Sequence, residues 1–133
     1  MKILGGPMKI FKTKWLSRFT RREGIPDKSL REAIDRAERG IVDADLGGGL
    51  IKQRVARPGR GRAGGYRTIV AYKTKERAVF LYGFAKSERD NIGEDELLSL
   101  KEIAAGWLAA DAAKIRRALE AGALQEVSHD QEE

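Results

Sequence analysis

The chain has 133 residues, enough for one domain core and too few for two. With 41% hydrophobic residues, 35% charged residues and three prolines, it is neither a disordered nor a collagen-like chain. It contains no cysteine and one histidine, His129, which excludes thiolate zinc sites, iron–sulfur clusters and disulfide scaffolds and leaves a histidine triad without support.

The net charge of +6 is unevenly spread. Residues 1–49 carry net +4, residues 50–89 net +9 with only Glu76 and Glu88 acidic, and residues 94–133 net −6. A basic module of that density is the footprint that phosphate backbones select. No apolar run approaches the roughly 20 residues of a membrane span. The N-terminal MKILGGPMKIF is too short and too quickly charged for a secretory signal, so a cytoplasmic location is expected. The repeated MKI suggests Met8 as the functional start, with residues 1–7 a leader or remnant, 8–127 one domain and 128–133 a disordered acidic tail.

In chain order, Lys9–Lys12 reads as a short edge strand. Thr13–Arg22 reads as a helix with Trp15, Leu16 and Phe19 on one stripe, stopped by Gly24. Pro26 and Asp27 start a second helix, with Leu30, Ala33, Ile34 and Ala37 inward, Arg31, Glu32, Asp35, Arg36 and Glu38 in water, and Gly40 as its stop. Ile41–Gly49 is expected to be a loop. Leu50–Ala56 then alternates as a strand, Lys52 and Arg54 on one face, Ile51, Gln53 and Val55 on the other. Arg57–Gly65 (RPGRGRAGG) reads as a loop, Tyr66–Lys73 as a strand, Thr74–Arg77 as a turn and Ala78–Lys86 as a central strand. From Asp95 a helix carries Leu97, Leu98, Ile103, Ala104, Trp107 and Leu108 as its stripe. Asp111 caps a last helix that Gly122 ends, and Leu124–Val127 adds a short strand or docks as a tail. The order β-α-α-β-β-β-α-α implies an α+β domain, a helical hairpin packed on one face of a small antiparallel sheet.

The chemistry concentrates in residues 47–92, where Lys52, Arg54, Arg57, Arg60, Arg62, Arg67, Lys86 and Arg89 come from three neighbouring strands and their loops. Strands lie about 4.8 Å apart, so these side chains converge. Arginine forks suit bidentate phosphate contact, and several in one concavity stabilise a pentacovalent phosphorane. Crowded like charge favours proton loss from a lysine, making Lys52 or Lys86 a candidate general base. Tyr82 and Phe84 share a face with Lys86 and could stack bases. The glycines of RPGRGRAGG lead into a strand, which argues against a dinucleotide cofactor, and the basic region lacks paired carboxylates for a magnesium nuclease. Glu88 and Asp90 read as solvated turn residues, and Tyr66 and Tyr72 as core.

On Gly47–Arg54 (GGGLIKQR), Arg57–Arg67 (RPGRGRAGGYR) and Tyr82–Arg89 (YGFAKSER), the chain resembles the RelE/ParE-like toxins of bacterial type II toxin–antitoxin modules, over nearly all of residues 8–127. The resemblance implies two helices over one sheet face with RNA against the other. It implies a ribosome-dependent messenger RNA endoribonuclease (an mRNA interferase), acting without metal or other cofactor by attack of the RNA 2′-hydroxyl. The family's site roles fall on Lys52 as base, Arg54 and Arg67 as charge stabilisers, and Lys86 or Arg89 at the leaving oxygen. The basic stretch itself makes Arg57, Arg60, Arg62, Tyr82 and Phe84 the expected RNA contacts. A cognate antitoxin is the implied protein partner. Asn91, Ile92 and Gly93 stand where some members carry a tyrosine or histidine. Two alternatives remain open on the same fold: a non-enzymatic gyrase-poison-type toxin, and an inactive RNA-binding relative.

Overall fold

The computed structural model describes residues 8–57 and 61–128, apart from the side chains of 61–63. Residues 1–7, Arg60, the Arg62 side chain, His129 and the rest of the acidic tail therefore lie outside the described residues. The elements are β1 (Lys9–Thr13), α1 (Lys14–Glu23), α2 (Asp27–Glu38), β2 (Ala44–Gly47), β3 (Leu50–Arg57), β4 (Gly61–Lys73), β5 (Arg77–Ala85), α3 (Glu94–Ala109), α4 (Ala112–Ala121) and β6 (Leu124–Glu126).

Local chemistry sets the helix boundaries. The Thr13 hydroxyl accepts the Leu16 N–H at 3.2 Å and opens α1, and Gly24 closes it in the left-handed conformation at φ 71°. Asp111 accepts the Lys114 N–H at 2.8 Å and opens α4, which Gly122 ends at φ 81°. Arg77 donates to the Trp107 and Ala110 carbonyls at 2.7 and 2.8 Å, answering the free carbonyls at the end of α3.

The six strands form one sheet in the order β2-β3-β4-β5-β1-β6. The expected antiparallel meander is β3-β4-β5. β1 joins β5 in parallel, and β6 pairs antiparallel with β1. Two segments depart from the sequence expectation. Part of the Ile41–Gly49 loop is β2, held by pairing to β3 rather than by any alternation of its own. The RPGRGRAGG loop is shorter than expected, because β4 already starts at Gly61, opposite Arg57. The ladder between Val55 and Arg57 contains a bulge, and Gly65 lies against it. A Cβ on Gly65 would collide with the Val55 carbonyl oxygen and come within 2.9 Å of the Arg57 nitrogen, so only glycine fits.

The α1–α2 hairpin covers one sheet face as expected, and α3 and α4 also cover part of the other. On the first face, Leu16, Phe19, Leu30 and Ile34 pack on Ile51, Val55, Tyr66, Val70 and Phe80. On the second, Ala104, Ile115, Trp107 and Leu108 pack on Phe11, Leu50, Ile69, Ala71 and Val79. Residues pointing to both faces of the central strands are apolar, and leaving such side chains in water would cost about 1.5–3 kcal/mol each. Two further expectations change. Arg36 is buried rather than in water, and Leu98 and Ile103 are 63% and 46% exposed rather than packed. The α3 stripe on the sheet is narrower than its apolar content, running through Leu97, Leu100, Ala104, Trp107 and Leu108.

Candidate functional site

α3 and α4 cover the second sheet face only in part, and the cationic residues lie beyond that cover. Arg54 stands opposite Arg67, and Arg67 opposite Phe84, forming one rung across β3, β4 and β5. The next rung is Lys52, Ile69 and Tyr82. A second bulge between Ile69 and Val70 leaves Leu81 unmatched on β5, so Leu81 and Tyr82 both reach the α3 side.

Arg67 is 8% exposed, and its Nη1 is buried without a hydrogen-bond partner, the one such side-chain atom among the described residues. Burial, and then Arg54 across the ladder, pull the guanidinium below its ordinary pKa, while Asp43 and Asp90 act the other way. Like charges directly opposite each other in a ladder are destabilising, so this rung opposes stability. An anion placed there would relieve both the repulsion and the unmet donor.

Arg54 is exposed on a backbone clamped from two sides. Its N–H donates to Asp43 at 2.6 Å, and its carbonyl accepts from Arg36 Nη2 at 2.6 Å. Lys52 Nζ lies 3.4 Å from Asn91 Oδ1. Arg89 follows β5 and folds back over the site, its Cζ 5.4 Å from the centre of the Phe84 ring. Its Nε donates to the Asn91 carbonyl at 2.9 Å, Nη1 to Tyr82 and Glu96 at 3.2 Å each, and Nη2 to Glu96 at 2.6 Å. The hydrogen bonds to Glu96 hold its proton more firmly than usual.

Lys52, Arg54, Arg67, Tyr82 and Arg89 thus meet at one end of one face. Phe84 is 4% exposed beneath Arg89, so it serves as a floor and not as an open stacking surface. Tyr82 is half-buried with Trp15 at 4.6 Å between ring centres. Lys86 is exposed just past β5, its N–H donating to Gly65 at 3.3 Å. Arg57 belongs to the other face, with Nε 3.3 Å from the Tyr66 hydroxyl and Cζ 5.3 Å from that ring. The bulge after Val55 and the pleat of β3 turn it there, away from Arg54.

Asn91, Glu96, Asp43 and Arg36 were not among the candidate residues. Glu96 in the first turn of α3 accepts the Gly93 N–H at 2.7 Å, which is half of a capping box, because glycine has no side chain to return the bond. No sequence signal joins Glu96 to Arg89, seven residues away across a turn. Lys52, Arg54 and the remaining N–H of Arg89 around a buried guanidinium can bind a phosphodiester and take up charge that develops on it.

Residues 8–127 match the family model described as RelE toxin of RelE / RelB toxin-antitoxin system. No curated protein matches the chain.

Proposed function

The chain belongs to the RelE toxin family of toxin–antitoxin systems, and from that premise we propose that it is a ribosome-dependent endoribonuclease acting on messenger RNA. The observation that carries the reading is the buried, under-bonded Arg67 facing Arg54. A purely structural arginine at that depth would have its donors met.

In this reading the scissile phosphate sits against Arg67 and Arg54. The RNA 2′-oxygen attacks the adjacent phosphorus and loses its proton to Lys52, forming the 2′-O–P bond. The P–O5′ bond then breaks, and the 5′-oxygen takes a proton from Lys86, leaving a cyclic phosphate and a 5′-hydroxyl. Arg54 and Arg67 stabilise the phosphorane charge, and Arg89, fixed on Phe84, offsets charge on the leaving oxygen. Among the described residues no strong acid–base pair accompanies these cations, which favours dependence on the ribosome to hold the substrate in line. The cognate antitoxin would cover the same basic face.

The test is 5′-end mapping of messenger RNA in a reconstituted translation reaction, with and without ribosomes, for wild type and Arg67→Ala. Cuts that need both ribosomes and Arg67 are expected. Intact RNA from protein that still arrests growth would replace this reading with a protein target such as gyrase.

A further inference from the structure

Arg89 and Arg67 sit on one face in opposite conditions. A guanidinium carries five N–H donors. Four of those on Arg89 are engaged, by the Asn91 carbonyl, the Tyr82 hydroxyl and both oxygens of Glu96. Glu96 comes from the first turn of α3 and accepts the Gly93 N–H with the oxygen that also takes Arg89 Nη2. The carboxylate therefore ties the start of α3 to a side chain of the basic face. Capping the helix start does not require that link, since a glutamate at this position accepts the N-cap N–H with no arginine present.

We infer that Glu96 is a positioning residue, which holds Arg89 over the Phe84 ring and withholds most of its donors from the RNA phosphate. This rests on the reading of the basic face as an RNA site. Its consequence is a pair of opposed effects. With Glu96 in place, Arg89 offers a single free N–H at a defined point, a poor phosphate anchor and a well-placed charge. Without the carboxylate, Arg89 gains the freedom to grip a phosphate bidentately and loses its fixed place.

Glu96→Gln keeps the helix start, because the glutamine oxygen still accepts the Gly93 N–H, and it loosens Arg89 by removing the carboxylate charge and setting an N–H₂ donor against Arg89 Nη1. RNA affinity is measured with a short single-stranded RNA oligonucleotide of mixed sequence over a range of salt, and cleavage as single-turnover rates on programmed ribosomes. Glu96→Gln is expected to bind RNA about 3-fold more tightly, with a salt slope steeper by about 0.7, one added phosphate contact on a single strand. Its cleavage rate at saturation is expected to fall about 10-fold through misplacement. In the Arg89→Ala background the same substitution should change neither quantity. Unchanged affinity and salt slope in Glu96→Gln, or an equal effect with Arg89 absent, overturns the inference. Absence of cleavage by the wild-type protein would defeat the nuclease reading alone, and the affinity and salt-slope measurements would still decide the role of Glu96.

Discussion

Arg36 and Arg67 are equally deep, each 8% exposed, and lie on opposite faces of the sheet. Arg36, on α2, spends its guanidinium on the Arg54 carbonyl at 2.6 Å and has Asp43 at 3.8 Å. Arg67, on β4, faces a second arginine and keeps an unanswered Nη1. The same burial thus has two meanings. A buried charge with its hydrogen bonds met fastens an α-helix to a strand, whereas one left short of partners costs stability, and in the proposed reading the RNA phosphate supplies the missing partner.

The largest test of this difference is in catalysis. Arg67→Ala should lower ribosome-dependent cleavage about 10²–10³-fold, the usual effect of removing one preorganised charge-stabilising donor. Its folding stability should change by less than about 1 kcal/mol, because an unfavourable like-charge rung goes with it. Urea unfolding read beside the cleavage assay checks both. Arg36→Ala should do the reverse, losing about 2–3 kcal/mol of stability by stranding the Arg54 carbonyl. If Arg67→Ala unfolded as readily as Arg36→Ala, the contrast between the two arginines would disappear.

Next in size is a change that touches backbone and no charge. Gly65→Ala puts a Cβ against Val55 and Arg57 backbone at the bulge two residues from Arg67. A loss of about 1–2 kcal/mol is expected, as for overpacking elsewhere, because backbone cannot turn aside as a side chain can. Cleavage should fall together with stability, unlike the effect of either arginine. A Gly65→Ala protein of wild-type midpoint and wild-type rate would show that the bulge does not hold the rung in place.

Much of this is legible in the sequence. Thr13, Gly24, Asp111 and Gly122 punctuate helices through their own local chemistry, and the alternation at Leu50–Ala56 correctly separates Lys52 and Arg54 from Ile51, Gln53 and Val55. What stayed hidden depends on contacts distant in sequence. β2 exists through its pairing with β3, Gly61–Gly65 is extended through its pairing with the end of β3, and the polar stripe of α2 contains a buried Arg36 because β3 supplies acceptors to it. The breadth of the apolar stripe on α3 misled for a similar reason, since the sheet takes Leu97 and Leu100 and leaves Leu98 and Ile103 outside. Within the site, the cations were recognisable as a group. Their individual fates were not, because the orphaned donor of Arg67 and the carboxylate on Arg89 are matters of partner and not of residue type.

A third polar cluster completes the series, with partners but little burial. The Glu38 carboxylate accepts from the Tyr72 hydroxyl, from Thr74 at 3.1 Å and from the Lys75 N–H at 3.1 Å, bracing a turn in which Lys75 sits at φ 65°. Burial would raise the pKa of Glu38, but these three donors outweigh it and hold the carboxyl below its ordinary value. Burial first, and then Glu38, push the Tyr72 hydroxyl from 10.0 up to about 12. The two signs follow from linkage. Because the folded state keeps the Tyr72 proton more tightly, this contribution is complete below pH 10.0 and disappears as pH rises toward about 12. The Glu38 contribution is present above its ordinary value of 4.5 and disappears as pH falls through the lower folded value. Tyr72→Phe should therefore flatten the alkaline loss of stability relative to wild type and weaken the acid branch. The whole effect should stay under about 1 kcal/mol, as for other solvent-screened polar contacts. Urea midpoints measured against pH for both proteins test it, and parallel curves between pH 10.0 and about 12 would show that folding does not hold the Tyr72 proton in solution.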